Sequence, residues 1–316
     1  MAGPHKFAVI GGSQAYDLLS RGAIHGKRLG PRKTPFGHSQ PIYVIQVDSQ
    51  TTAQPVEFLF LSRHGERGYE VSAPFVNYRA NVYALKDLGV GRIVAWSGPG
   101  AINPRYKVGQ SVVADDLIDE TQNRQSTFFE KGGLGFIRQS PVFCPALRGL
   151  LVEVLKGQGL DPSDKGVYVC TQGPRLETPA EIKKFASYGG DLVGMTLVPE
   201  VFLARELEMC YAALCYVSNY AEGVVKREFK AGELFEGLSS QEDKAAVARA
   251  VAQFPNIILE AARRLHMESS PPKADVTGIS PLTQSMDSIE CPCQASMERY
   301  RREGRIGGDW RRWIKK

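Results

Sequence analysis

Three short polar turns, each directly after an apolar run, carry the residue types that bind anions. They are Gly11-Gly12-Ser13, Ser62-Arg63-His64-Gly65 and Ser97-Gly98-Pro99-Gly100. Glycine lets a backbone approach an anion closely, serine adds a hydroxyl, and an arginine beside a histidine adds a forked donor next to a second one. A plain glycine turn or a surface ion pair would explain any one of them. Taken together, the three turns favour a single phosphate site.

A second set of polar residues follows apolar runs further along the chain. It comprises Gln172, Met195, Thr196, Ser218 and Asn219. Open α/β sheets bind ligands just beyond the ends of their strands, so we expect these side chains to join the phosphate site. Amide and hydroxyl groups suit a polar ring. The inventory therefore fits a site for an anion and a heterocycle.

The sequence offers little to covalent or metal chemistry. It contains neither a G-x-S-x-G elbow nor a Walker loop, and the histidines outside the turns show no metal-ligand spacing. Cys291 and Cys293, in C-P-C, are two thiols, too few for a structural zinc site and too close for a stable disulfide, which favours a free pair in a loop. The remaining cysteines follow or lie in apolar runs and are interpreted as buried small hydrophobes: Cys144, Cys170, Cys210 and Cys215.

The elements that must position these residues alternate between strands and helices, which predicts an α/β fold. Strands are predicted at 6–10, 41–47, 56–61, 92–96, 111–118, 167–170, 191–196 and 210–217. Helices are predicted at 77–88, 145–157, 178–188, 200–209 and 239–265. A capping box of Thr178 and Glu181, with Pro179 between them, starts the third helix. Residues 20–40 and 121–141 are predicted to be loops, and the length of the second suggests a functional role.

Composition and charge exclude two classes of partner. The chain has 316 residues, 43% of them hydrophobic, and its apolar runs are shorter than a membrane span. The N-terminus lacks a signal-peptide pattern, so we expect a cytoplasmic protein without membrane contact. The net charge of +5 resides in residues 297–316, with eight basic and three acidic residues. The balanced body gives no reason to expect nucleic acid as a partner.

Three segments are predicted. Residues 1–266 form one domain, 267–296 form a Ser/Pro-rich linker that contains the C-P-C sequence, and 297–316 form a basic tail. The tail, with Trp310 and Trp313, either docks on the body or a partner or is disordered.

The order of several motifs resembles the family of purine nucleoside phosphorylases and 5'-methylthioadenosine phosphorylases. Besides the first two turns, the motifs are Thr34-Pro35-Phe36-Gly37, Asn77-Tyr78-Arg79-Ala80-Asn81, Gly173-Pro174-Arg175, Met195-Thr196, Val198-Pro199-Glu200 and Ser218-Asn219-Tyr220. The resemblance covers about residues 6–265 and leaves out the tail. It implies a three-layer α/β sandwich around a mixed, distorted central sheet, assembled as a homotrimer or a dimer of trimers.

The resemblance also implies an activity and roles for individual residues. A purine nucleoside would react with phosphate, the co-substrate, to give free purine and a sugar 1-phosphate, without a metal or an organic cofactor. By matching position, phosphate would be held by Ser13, Arg63, His64, Ser97, the Gly98 N–H and Thr196. Met195 would pack under the sugar, Phe136 would reach the sugar pocket of a neighbouring subunit, and Gln172 and Asn219 would face the base. Asn219 and His64 are the expected catalytic residues.

The chain also departs from the family pattern. Gln14 follows G-G-S, Pro99 lies in the third turn, and Gln172 stands where the family has glutamate. Asn219 and Ala221 replace the aspartates of the adenine-specific branch. This difference favours a 6-oxopurine nucleoside, namely inosine or 5'-methylthioinosine, and ranks guanosine below them. The alternatives are 5'-methylthioadenosine as substrate, since Gln172 can donate to an unprotonated N1, and a weakly active or inactive homologue that binds nucleoside or phosphate.

Overall fold

The computed structural model describes residues 7–12, 15–20, 22–47, 55–226, 240–268 and 291–314. Its strands are β1 (Phe7–Gly11), β2 (Gly26–Gly30), β3 (Lys33–Thr34), β4 (Gly37–His38), β5 (Ile42–Val47), β6 (Val56–Ser62), β7 (Arg92–Ser97), β8 (Gly100–Ala101), β9 (Ser111–Val113), β10 (Asp116–Glu120), β11 (Val167–Thr171), β12 (Leu192–Gly194), β13 (Cys210–Tyr216) and β14 (Asn219–Tyr220). Its helices are α1 (Ala15–Ser20), α2 (Tyr78–Asp87), α3 (Pro145–Gly157), α4 (Pro179–Ser187), α5 (Glu200–Glu206), α6 (Gln241–Glu268) and α7 (Glu298–Arg302).

A seven-stranded mixed sheet forms the centre, in the order β2-β5-β6-β1-β7-β13-β9. Its middle strands β6, β1, β7 and β13 run parallel, while β2, β5 and β9 run antiparallel to their neighbours. Every residue of β1, β7 and β13 is buried. Strands that are buried on both faces have continuous apolar sequences, so these strands could be predicted from the sequence.

Helices cover both faces of this sheet and give three layers. Along β1, Phe7 and Val9 pack into the cluster that contains α3 and α6, whereas Ala8 and Ile10 pack into the cluster that contains α2 and α5. Successive side chains of a strand point to opposite faces, so one strand feeds two cores. The predicted α/β sandwich around a mixed sheet is therefore confirmed.

A second sheet of five short strands, in the order β10-β11-β12-β8-β14, adjoins the main one. Strands β10, β11 and β12 run parallel, and β12 pairs antiparallel with β8. Helix α4 packs on this sheet through Ile182 and Phe185. The capping box predicted for α4 is present, since the Thr178 side chain accepts from the Glu181 N–H and the Glu181 carboxylate accepts from the Thr178 N–H.

Two predicted elements differ in the structure. Residues 20–40 are not only loop, because β2 pairs with β5 there. The predicted strand 111–118 is two strands, β9 and β10, which belong to different sheets. A single period-2 pattern cannot reveal that a chain changes sheets between them. Pro255 lies inside α6 without dividing it.

The C-terminal segment docks on the body. Cys293, Met297, Tyr300, Ile306 and Trp313 are buried and belong to the two main core clusters. Buried core residues thus continue past residue 266 into the C-terminal segment. Residues 269–290, most of the predicted linker, lie outside the described residues.

Cys291 and Cys293 are free cysteines, as predicted, but they are not an isolated pair. Their sulfur atoms lie beside those of Cys144 and Cys210, and all four fall within 4.8 Å of one another. Composition alone could not show that two thiols from the body would meet the C-P-C sequence.

Among the described residues, the helices are too short or too polar to cross a membrane.

Candidate active site

The polar turns meet at one edge of the central sheet. Strands β1, β6, β7 and β13 run parallel, so the residues that follow them share the carboxyl-terminal edge. A cavity of about 340 Å³ opens there, large enough for a small organic ligand. Six of the predicted site residues line it: His64, Ser97, Gly98, Met195, Thr196 and Asn219. The convergence predicted from the sequence is therefore present for these six.

Three hydroxyl groups gather on one wall of the cavity. The Ser97 Oγ lies 3.1 Å from the Tyr168 hydroxyl and 3.4 Å from the Thr196 Oγ1. Full burial raises the pKa of Tyr168 well above its usual value, so its proton is retained. Hydroxyl groups rotate to donate or accept, which lets this cluster turn its protons toward an anion.

His64 is neutral and its tautomer is fixed. Its Nδ1 lies 2.9 Å from the Val71 carbonyl oxygen, which can only accept, so the ring proton resides on Nδ1. Burial, assisted by the adjacent positive charge of Arg63, lowers the pKa of His64 to about 4. At neutral pH, Nε2 is therefore left as a hydrogen-bond acceptor.

Arg63 precedes His64 in the chain and is fully buried. Its Nε and Nη2 each donate to the Glu200 carboxylate at 2.8 Å, and the Tyr211 hydroxyl donates to the same carboxylate at 2.7 Å. Within the described part of the chain, the Arg63 Nη1 has no hydrogen-bond partner. A Cβ at Gly12 would lie 3.1 Å from this nitrogen and 2.4 Å from the Trp96 carbonyl oxygen, so the turn requires glycine.

The free Arg63 nitrogen thus lies against the glycine turn that leads to Ser13. Ser13 and Gln14 lie outside the described residues. The role of Ser13 in binding phosphate therefore stays a prediction. A buried arginine nitrogen without a partner costs free energy unless a ligand satisfies it. This cost makes Nη1 a candidate anion donor.

The structure does not bring Gln172 to the cavity. Its Oε1 accepts from the Gln122 N–H at 2.9 Å and from the Arg124 Nε at 3.3 Å. Glu177, from the same loop, lines the cavity instead, and its carboxylate accepts from the Thr171 hydroxyl at 2.5 Å. Glu177 stands five residues beyond Gln172, within the sequence T-Q-G-P-R-L-E-T, and Glu222 is a second acidic residue that lines the cavity.

Asn219 is held by its neighbours while it lines the cavity. Its Oδ1 lies 2.6 Å from the Ser218 Oγ, and its Nδ2 donates to the Tyr220 carbonyl oxygen at 2.9 Å. An amide nitrogen carries two protons, so one donor remains for a ligand. The neighbouring Ala221 also lines the cavity and adds no charge.

Arg124 is a site residue that sequence reasoning missed. Its guanidinium donates to the carbonyl oxygens of Thr171 and Gln172, at 3.0 and 2.6 Å, and of Met195 and Val198, at 2.7 and 2.5 Å. One side chain thus ties the end of β11 to the loop after β12. Its partners lie far away in sequence, so no local pattern signals this role.

Phe136 does not line the cavity of its own chain. Its side chain is 85% exposed, and its backbone N–H donates to the Tyr300 hydroxyl at 3.0 Å. An aromatic ring at this exposure is suited to contact another molecule. Its predicted place in a neighbour's sugar pocket stays a prediction.

Comparison with known proteins gives one family. The phosphorylase superfamily matches residues 6–263. A 6-oxopurine nucleoside phosphorylase of Pyrococcus furiosus is 38% identical over 259 residues, which cover 80% of this chain and 93% of the relative. A probable S-methyl-5'-thioinosine phosphorylase of Methanocaldococcus jannaschii is 42% identical over 248 residues, covering 78% and 91%.

Solved structures show the same fold. A methylthioadenosine phosphorylase from an antarctic soil metagenomic library superposes with a TM-score of 0.69 at 28% identity, covering 85% of this chain and 88% of that one. The methylthioadenosine phosphorylase of Schistosoma mansoni in complex with tubercidin gives a TM-score of 0.68 at 27% identity, covering 83% and 92%. Together with the match over residues 6–263, these similarities show that the chain belongs to the phosphorylase superfamily.

Proposed function

We propose that this protein is a pentosyltransferase that catalyses the phosphorolysis of a purine nucleoside, giving free purine and a sugar 1-phosphate. The observation that carries the proposal is one cavity that combines anion donors, among them Ser97 and Thr196, with the amide of Asn219 and the carboxylate of Glu177. The names of the relatives support the same activity. Phosphate is a co-substrate in this reaction, and the residues assigned below need neither a metal nor an organic cofactor.

The phosphate contacts follow from the protonation states of the site. The Ser97 and Thr196 hydroxyls and the Gly98 N–H donate, and Arg63 Nη1 adds a further donor. The resemblance to the family adds Ser13 to this set. Neutral His64 accepts the hydrogen bond of the one hydroxyl that a monohydrogen phosphate carries. Donors then face the charged oxygens of the phosphate and an acceptor faces its proton.

The chemical step needs stabilisation at two places. As the bond between the sugar carbon and the purine nitrogen breaks, its electron pair moves to the purine and positive charge develops on the sugar. The Asn219 amide donates to N7 of the leaving purine, and the phosphate anion beneath the sugar offsets its charge. A phosphate oxygen then forms the new bond to the sugar carbon, and the purine anion takes up the proton that the phosphate gives up. No protein nucleophile is required.

The base contacts favour a 6-oxopurine. Such a base carries a proton on N1, and the Glu177 carboxylate can accept a hydrogen bond from this N–H group. Asn219 and Ala221 present no carboxylate to the 6-amino group of an adenine. Inosine and 5'-methylthioinosine are therefore the proposed substrates, with Met195 beneath the sugar. 5'-Methylthioadenosine is the runner-up, because the solved structures similar to this chain include methylthioadenosine phosphorylases.

The proposed active unit is a homotrimer or a dimer of trimers. Among the described residues, the exposed Phe136 does not line the cavity, and its ring is available to a neighbouring subunit. A second protomer that buries this ring would also close the sugar pocket to water, which strengthens the electrostatic interactions inside it.

A substrate panel tests the proposal. The full-length protein is assayed with inosine, guanosine, 5'-methylthioinosine, adenosine and 5'-methylthioadenosine at saturating phosphate, and base release is followed by chromatography. We expect inosine or 5'-methylthioinosine to give the highest kcat/KM. A preference for 5'-methylthioadenosine would contradict the 6-oxopurine assignment, and base release from none of the five would leave only the binding homologue.

A further inference from the structure

Four cysteine sulfurs from three parts of the chain converge outside the nucleoside cavity. Cys144 precedes α3, Cys210 begins β13, and Cys291 and Cys293 lie in the C-terminal segment. The Sγ of Cys291 is 3.5 Å from the Sγ of Cys144 and 3.5 Å from that of Cys210. All four sulfurs lie within 4.8 Å of one another, and three of the residues are buried.

We propose that these four cysteines bind one Zn²⁺ ion in a closed, structural site. A tetrahedral Zn²⁺ with Zn–S bonds of about 2.3 Å places its ligand sulfurs about 3.8 Å apart. Two of the sulfur–sulfur distances are 3.5 Å and none exceeds 4.8 Å, which is compatible with that spacing. Four thiolates fill the coordination sphere of the metal, so the site supplies stability and leaves no position for substrate.

The surroundings suit a thiolate cluster of negative charge. Four thiolates around one Zn²⁺ carry a net charge of −2, and the buried Arg205 lies against them, with its Nη1 3.0 Å from the Cys293 Sγ. A hydrogen-bond donor outside the ligands orients a sulfur and offsets its charge. Cys144 lies at the N-terminus of the 13-residue helix α3, where backbone N–H groups favour a thiolate.

Two disulfides are the competing arrangement of four thiols. Disulfide pairing would give each sulfur one partner, yet Cys291 is equally distant from Cys144 and Cys210. Neighbours as close as Cys291 and Cys293 would form only a strained ring with each other. A single ion at the centre satisfies all four sulfurs at once.

The ion would fasten the C-terminal segment to the body. Beyond the cluster, the Tyr300 hydroxyl accepts from the Phe136 N–H at 3.0 Å, and Arg305 donates to the Gly132 carbonyl oxygen at 2.7 Å. Residues 291–314 therefore support the loop that carries Phe136. Binding free energy at the metal contributes directly to the stability of this arrangement.

Elemental analysis tests the proposal without any assay of activity. The full-length protein, expressed with added zinc and dialysed against metal-free buffer, is expected to contain about one zinc per chain. The Cys291→Ser/Cys293→Ser double variant is expected to contain less than about a tenth of that amount. Cys215→Ala, which removes a buried thiol of β13 away from the cluster, is the matched control and is expected to keep its zinc.

A second measurement covers the case in which the double variant does not fold. The metal-free wild-type protein, reduced and then titrated with Co²⁺, is expected to saturate at about one ion per chain with the charge-transfer and d–d absorption of tetrahedral tetrathiolate cobalt. Zinc then displaces the cobalt. The proposal is overturned if reduced wild-type protein takes up neither ion, or if mass spectrometry of the protein as isolated shows two disulfides among these cysteines.

Discussion

Arg63 and Glu200 form a bidentate ion pair, with both hydrogen bonds at 2.8 Å and both side chains fully buried. The pair joins the loop after β6 to the first turn of α5 and leaves one arginine nitrogen against Gly12. Arg63 thus has two roles, since it neutralises a buried carboxylate and presents a donor to the proposed phosphate.

Arg63→Ala removes both roles at once. Because Glu200 would remain buried without its cation, we expect a loss of about 3–5 kcal/mol in the free energy of unfolding, measured by urea denaturation. Arg63→Lys keeps a charge in place but loses the fork, so we expect a folded protein whose phosphate affinity falls far more than its nucleoside affinity. The control is Arg92→Lys, at the buried arginine that begins β7. Unchanged phosphate affinity in Arg63→Lys would place the anion elsewhere.

Glu177, and not Gln172, should contact the base. Glu177→Gln replaces a carboxylate, which only accepts, with an amide that can also place a donor opposite N1–H. We expect kcat/KM for inosine to fall by an amount that corresponds to about 1–3 kcal/mol of transition-state free energy. Gln172→Glu, which keeps the acceptor that Arg124 requires, is expected to change it much less. If steady-state kinetics show a larger effect for Gln172→Glu than for Glu177→Gln, then Gln172 contacts the base and Glu177 does not.

Asn219→Asp should shift the preference for the base. An aspartate accepts from a 6-amino group and repels a 6-oxo group, so the ratio of kcat/KM values should move toward adenosine-type nucleosides by about 1–3 kcal/mol. The comparison uses inosine and adenosine under identical phosphate. If both efficiencies fall equally, Asn219 does not discriminate between the bases.

Glu206 should make stability depend on pH. Burial raises the pKa of Glu206 to about 7, although the Thr127 hydroxyl and the Phe128 N–H both donate to its carboxylate. The folded state therefore holds this proton more tightly than the unfolded state, and stability falls as pH rises from about 4.5 to 7.

Glu206→Gln removes that titration and keeps an acceptor for the Phe128 N–H. Between pH 5 and pH 8, we expect the wild type to lose up to about 3 kcal/mol more than this variant in the free energy of unfolding. Glu130→Gln, at an exposed carboxylate in the loop that carries Thr127 and Phe128, serves as control. Parallel stability curves for the wild type and Glu206→Gln would contradict the assignment.

Phe136→Ala should affect the sugar pocket between subunits. We expect a higher KM for the nucleoside, an unchanged oligomeric state and an intact phosphate site, because the ring is exposed and contributes little to its own chain. Kinetics and multi-angle light scattering measure the two properties on one preparation. A fully active wild-type monomer at assay concentration would refute a shared site.

The sequence predicted most of what depends on local pattern. The strands buried on both faces, the capping box at Thr178 and the residues that follow β6, β7 and β12 were recognisable from hydrophobic runs and turn residues. The hidden features depend on contacts between distant segments. Arg124 serves carbonyl groups 47 to 74 residues away, and Cys291 reaches Cys144 across 147 residues. Glu177 was visible, but only the folded loop shows that it lies at the cavity and Gln172 does not.

The most direct test of the account follows the fate of the sugar. The full-length protein is incubated with inosine, with and without phosphate, and hypoxanthine, ribose 1-phosphate and free ribose are quantified together. We expect hypoxanthine release that requires phosphate and yields one ribose 1-phosphate for each hypoxanthine. Hypoxanthine release that persists without phosphate and yields free ribose would show hydrolysis, and would contradict the proposed phosphate site.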